Sequence, residues 1–184
     1  LPQVGRVEVS IIEESNPQLL AFNSGELDYA NVPPDLIPNA LDGSNRLKGY
    51  YAAQGVRHWR ITQPALTYTY FNMEDPVVGG YTPEKVALRR AIGLGSDIWR
   101  EIRLIRHGQA VPAQGLVTPH ATGYDPKLKT EMGDHDPARA KALLDLYGYA
   151  DKDGDGWRDL PDGKPLVLSY STQPDELSRQ FDEV

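Results

Sequence analysis

Apolar and polar residues alternate along this chain with two periods, one of two residues and one close to 3.6. Val7, Val9 and Ile11 interleave with Arg6, Glu8 and Ser10, the pattern of a half-buried strand. Asn16 is then placed to cap a short helix that begins at Pro17 and carries Leu19, Leu20 and Phe22 on one side, with Gly25 as its stop. Leu27 to Ala30 suits a second brief strand, and Val32 to Ile37 a proline turn entering one helical turn. Val56–Ile61 and Tyr68–Asn72 are rich in β-branched and aromatic residues and predict two further strands, separated by Pro64.

Helical signals dominate the second half. Thr82 is positioned as an N-cap, Pro83 as the first helical residue and Val86–Ile92 as the body of a helix. Ser96 is expected to cap the next one, with Asp97 in its first turn, Ile98, Ile102 and Ile105 recurring at i, i+4 and i+7, and Gly108 at its end. Residues 109–130 hold Pro112, Gly115, Pro119, Gly123 and Pro126 and predict a long irregular segment, a kind that is often functional in compact domains. Asp136 and Pro137 open the clearest helix, with Ala140, Leu143, Leu144 and Tyr147 as its apolar face and Gly148 as its terminator. An acidic loop, Asp151–Asp162, leads to a strand at Leu166–Tyr170. A last helical stretch has Pro174 near its start and Leu177, Phe181 and Val184 on one face. Strands alternating with helices predict an α/β or mixed α+β fold, a mixed sheet flanked by helices.

Composition narrows the function. The 184 residues suffice for one or two domains with a real core. A formal net charge of -7 with no basic stripe weighs against nucleic acid as a partner. No apolar run approaches the length of a membrane span, so no direct membrane insertion is expected. The absence of cysteine removes thiol catalysis, disulfides and thiolate metal sites together. The chain has no starting Met, enters a strand pattern at once and stops within a helix pattern at Phe181–Val184, which reads as an internal piece of a longer polypeptide.

The sharpest local motif is the acidic loop. Asp151, Asp153, Asp155, Asp159 and Asp162 stand at positions 1, 3, 5, 9 and 12, with Gly156 at 6, the arrangement by which alternate oxygens converge on a calcium ion. Asp162 is shorter than the Glu expected at the last position, and a strand pattern rather than a helix follows. A plain Asp/Gly turn, in which the carboxylates satisfy local amides, explains the same residues and is the preferred reading, with structural calcium as its rival and no other cofactor expected. His58, His107, His120 and His135 are scattered without ligand spacing, and neither a nucleophile elbow nor a phosphate-binding glycine loop is present. A metal-dependent enzyme would need the aspartates to surround a catalytic ion beside a pocket. Trp59, Tyr68, Tyr70 and Tyr124 suit either an organic-ligand pocket or a core. Arg89 and Arg90, inside a helix, suit a solvated face, or one of them a pairing with a buried carboxylate.

Six stretches, in order, carry a family resemblance. They are Phe22–Asp28, Tyr70–Asn72, Val86–Ile92, Gly108–Gly115, Asp136–Leu144 and Asp151–Leu168. Together they resemble the family 5 extracellular solute-binding proteins of bacterial ABC importers, the dipeptide, oligopeptide and nickel binders. Gly93–Asp97 and Asp75–Gly80 depart from the common pattern of that family.

The resemblance implies a lobe of the periplasmic-binding-protein type, class II, with residues 1–184 forming part of the second large lobe of a two-lobed protein, the hinge return and first lobe lying outside it. It implies a monomer in the periplasm, or a lipoprotein at the cell surface, that captures a peptide or small organic solute. The solute would pass to an ABC permease in the inner membrane, with no catalysis. By the same analogy Tyr70, Asn72, Met73, Gln109, Gln114 and Tyr124 are the expected ligand-side residues. A ligand-sensing or surface-interaction protein on the same fold is the alternative.

Overall fold

The computed structural model describes residues 3–174 and 176–183. The chain divides into two compact units, Leu1–Arg60 and Ile61–Val184.

In the first unit, helix α1 (Ser15–Asn23) starts just ahead of the predicted cap, with Glu14 in the N-cap position. Gly25, at φ 80°, provides the expected stop: its N–H donates to the Phe22 carbonyl and that of Glu26 to the Ala21 carbonyl. Pro33 and Pro34 lead into a 3-10 turn, Pro34–Leu36, which continues as α2 (Ile37–Ala40). A short helix that the periodicity does not announce, α3 (Gly49–Ala53), follows. Five residues are too few to display a repeat, and it is held by Tyr51, which is buried with Ile37, Ala40 and Leu41. Leu19, Phe22, Leu47 and Val56 pack around this small core.

In the second unit, α4 (Pro83–Gly95) and α6 (Pro137–Leu146) form the central pair. Thr82 occupies the N-cap position of α4 and Pro83 its first turn, as the sequence predicts. Small residues at the crossing, Ala91 and Ala140, let the helices approach while Leu94, 1% exposed, fills the space between them with Leu143 and Leu144. The Asp136 N–H donates to the Leu94 carbonyl at 2.8 Å, so the end of one helix sets the start of the other. Asp136 caps α6 through the Arg139 N–H at 2.9 Å.

Helix α5 (Ile98–Leu104) is capped by Asp97, whose Oδ1 accepts from the Arg100 N–H at 2.9 Å, and not by Ser96, whose hydroxyl turns back to the Ile92 carbonyl. A 3-10 turn, Glu131–Gly133, precedes α6. Tyr149, just past α6, is fully buried, and its hydroxyl donates to the Glu84 carbonyl at 3.3 Å. Helix α7 (Glu176–Asp182) carries Phe181, whose ring lies 4.6 Å from the Arg106 guanidinium. Val184, expected on its apolar face, lies outside the described residues.

The expected mixed sheet does not form. Helices are the regular structure of this chain, and among the described residues there is no β-strand, only two isolated bridges, Leu41–Leu47 and Asp159–Pro165. The α/β, class II lobe architecture is therefore corrected to a helical one. The physical reason is that a helix satisfies its own backbone within four residues, whereas a strand exists only through hydrogen bonds to another strand. The stretches with period two run irregularly or extended without such a partner, and their apolar residues face solvent: Val9 is 83% and Ile11 91% exposed. The segments at 27–30, 56–61, 68–72 and 166–170 are likewise not strands. No helix among the described residues is long and apolar enough to cross a membrane.

Candidate functional site

The segment entering α4 is a closed turn built around one carboxylate. Asn72 Oδ1 accepts from the Glu74 N–H at 3.0 Å, and the Asp75 N–H donates to the Asn72 carbonyl. Asp75 Oδ1 then accepts from Val77 N–H at 2.7 Å and Val78 N–H at 2.9 Å. These two backbone donors, Val78 foremost, hold the Asp75 carboxyl below its ordinary value. The Gly79 N–H returns to the Asp75 carbonyl and the Gly80 N–H to the Met73 carbonyl, each at 2.9 Å. The closure requires glycine at 79: a Cβ there would stand 2.5 Å from the Asp75 carbonyl oxygen and closer still to that of Met73.

Two cations of α4 pin this turn. Lys85 Nζ donates to the Pro76 carbonyl at 2.7 Å, and Arg89 Nη1 to the carbonyls of Val78 at 2.5 Å and Gly80 at 2.9 Å. The residues expected on the ligand side emerge from the fixed turn exposed. Tyr70 is 79% exposed and has its ring centroid 6.2 Å from that of Tyr68, while Asn72 and Met73 also face solvent.

The second expected segment follows α5. Gln109 is half-buried: its N–H donates to the Arg106 carbonyl at 2.8 Å and its side-chain amide to the His107 carbonyl. Gln114 is engaged within the loop. Its Oε1 accepts from the Thr130 N–H at 2.8 Å, its backbone carbonyl accepts from the Thr130 hydroxyl, and its Nε2 stands over Gly133, where a side chain would collide with it. Tyr124 sits exposed in a turn whose N–H donates to the Ala121 carbonyl. Among the described residues, no hydrogen bond or ring contact links Tyr70, Asn72 or Met73 to Gln109, Gln114 or Tyr124.

Glu131 ends this loop and ties it to both central helices. Arg90 donates through Nε to Oε2 at 3.0 Å and through Nη2 to Oε1 at 2.7 Å, and Arg139 of α6 adds a further contact to Oε1. The Arg90 hydrogen bonds, with the charge of Arg139, hold the Glu131 carboxyl below its usual range. Sequence reasoning left open whether one of the two arginines pairs with a buried carboxylate; Arg90 does pair with a carboxylate, but a half-exposed one. It missed Glu131 because its partners lie 41 and 8 residues away. A Glu near an Arg in sequence is too common a signal to find it.

The acidic loop brings three of its five aspartates together. Ligand oxygens of Asp151, Asp153 and Asp159 lie within 4.8 Å of one another, and Asp155 and Asp162 are not part of this group. Most of these carboxylates already serve the chain. Asp151 accepts from the N–H groups of Gly154 and Gly156, Asp153 from Asp155, and Asp155 from Trp157. Asp159, 6% exposed, accepts from the Lys152 N–H at 2.9 Å, and Asp162 pairs with Lys164.

Among the described residues, two of the open clefts lie in this unit. One of about 530 Å³ lies beside Asp97, Trp99 and Lys129, the other of about 680 Å³ beside Val77, Lys85, Leu146 and Tyr149. Neither is lined by any of the six expected ligand-side residues.

The Asn72–Gly80 turn and the Gln114–Thr130 contacts thus hold these side chains on hydrogen-bonded backbone. The chain belongs to the bacterial extracellular solute-binding proteins, family 5 (Middle), whose model matches residues 1–181. The family is one of transport proteins, not enzymes. The chain is 25% identical to the oligopeptide-binding protein OppA of Bacillus subtilis (strain 168) over 168 residues, which cover 91% of this chain and 28% of that protein. It is 25% identical to the probable D,D-dipeptide-binding periplasmic protein DdpA of Escherichia coli (strain K12) over 185 residues, covering 96% and 31%. It is 26% identical to the dipeptide-binding protein DppE of Bacillus subtilis (strain 168), covering 94% and 28%. The chain thus spans less than a third of the length of these relatives. No solved structure matches it.

Proposed function

We propose that this chain is part of the solute-capturing component of an ABC-type importer. It takes up a peptide or similar small solute outside the cytoplasm and delivers it to a permease in the inner membrane, without catalysis. The observation that carries the reading is the family match across residues 1–181, supported by three relatives whose names specify oligopeptides or dipeptides. Tyr70, Asn72 and Met73 form one ligand-side edge, and the Gln109–Tyr124 loop supplies the other, with Gln114 shaping that loop through Thr130. Exposed aromatic and amide side chains on a preorganised turn favour a solute with both apolar and hydrogen-bonding groups.

Native mass spectrometry of the full natural polypeptide, purified without added ligand, tests this. Co-purified peptides are the expected result. Nickel chelates or sugars in their place would overturn the peptide assignment.

A further inference from the structure

Arg89 is a half-buried cation without a carboxylate partner among the described residues; its polar partners are the carbonyls of Val78 and Gly80. Gly80 carries the bond to Arg89 at its oxygen and the bond to Met73 at its nitrogen. It can hold both because its φ of 85° turns the chain back in a conformation that favours glycine. A short relay therefore runs from the α4 backbone through Arg89 and Gly80 to the Met73 carbonyl. The turn's other bonds, to the side chains of Asn72 and Asp75, are internal to it. The side-chain hydrogen bonds from α4 to the turn come from Arg89 and Lys85. Of the two, Arg89 grips the end of the turn that holds Met73, whereas Lys85 grips Pro76.

We infer that Arg89 is a positioning residue for ligand capture: it locks the Met73–Gly80 turn onto α4 and so fixes the direction in which Tyr70, Asn72 and Met73 are presented. This rests on the proposed ligand-side edge. A guanidinium is suited to the task because it stays charged and spans two acceptors with a planar group, which a flexible ammonium does less well. Charge-assisted bonds of this kind, half shielded from water, are strong enough for their loss to change a binding constant by about tenfold.

The test compares wild type, Arg89→Lys and Arg89→Gln in the full natural polypeptide, with two readouts. Hydrogen exchange follows the amides of Gly79 and Gly80, with Ala140–Leu144 of α6 as reference. Native mass spectrometry follows retention of an equimolar tri- to pentapeptide library.

In Arg89→Gln, exchange at Gly79 and Gly80 is expected to accelerate about tenfold and peptide affinity to fall about tenfold, with α6 protection unchanged. Arg89→Lys is expected to fall between, and it carries the test if Arg89→Gln does not fold. Wild-type exchange rates in the variants overturn the locking role. A loosened turn with undiminished peptide retention overturns the positioning role while leaving the ligand-side edge standing. A wild type that retains no peptide overturns the peptide reading, and with it the inference that rests on it.

Discussion

Arg90 and Glu131 meet in a two-point contact, Nε to Oε2 at 3.0 Å and Nη2 to Oε1 at 2.7 Å, that joins the middle of α4 to the end of the 109–130 loop. Arg90 directly follows Arg89, and the turn of about 100° between consecutive helical residues sends the two guanidiniums to different segments. One helix thereby fixes both stretches that carry the expected ligand-side residues.

The pH dependence of stability follows from this contact. The Glu131 carboxyl is held below its ordinary value of 4.5 by Arg90 and Arg139, so the folded state favours its charged form. Its contribution is fully present above the unfolded value and is lost as pH falls through the lower folded one. Melting curves of wild type and Glu131→Gln are expected to differ by a constant margin above about pH 6 and to converge as the pH falls below the ordinary carboxylate range. Both side chains are substantially exposed, so the margin is also expected to shrink with added salt. A gap that widens on acidification contradicts the assignment.

Gly79→Ala is expected to be costly although the position is only a loop. The added methyl meets two backbone carbonyls, of Met73 and Asp75, neither of which can swing away as a side chain would. A loss of about 3 kcal/mol in urea unfolding is expected, from overpacking and broken turn hydrogen bonds together. A cost below about 0.5 kcal/mol would show that the turn can open freely.

Gly133 and Gln114 offer a double-mutant cycle. A Cβ at Gly133 collides with the Gln114 amide nitrogen, and Gln114 is held in place by Thr130. Gly133→Ala alone is expected to cost about 1–3 kcal/mol. In a Gln114→Ala background the added cost is expected to drop by about 1–2 kcal/mol, because the obstructing amide is gone. Strict additivity would mean that the two residues do not touch in solution.

The acidic loop is expected to respond weakly to calcium. Asp151, Asp153 and Asp155 already accept backbone N–H bonds within the loop, and Asp162 faces Lys164. An ion bound by Asp151, Asp153 and Asp159 would have to compete with those donors. Millimolar calcium is expected to raise the melting temperature by less than about 2 °C. A rise of about ten degrees would instead establish a structural calcium site.

What the sequence determined was local. The α4 and α6 starts are legible because Thr82-Pro83 and Asp136-Pro137 act within one helical turn, and the Gly25 and Gly148 stops act over two or three residues. In the acidic loop the bonds to Asp151, Asp153 and Asp155 are likewise local, spanning two to five residues, whereas that to Asp159 spans seven. The order of the motifs was enough to indicate the family.

What only the tertiary structure decided was everything that depends on partners distant in sequence. Val7–Ile11 and Tyr68–Asn72 have the composition of strands, yet pairing needs a neighbour in register, which a period of two does not provide. The same holds for the candidate site. Nothing in the text around Arg89 foretells that it grips carbonyls 9 and 11 residues behind it, or that Arg90 finds Glu131 41 residues ahead. Caps and turns are short-range and therefore written in the sequence; the placement of one turn against one helix is a property of the folded chain.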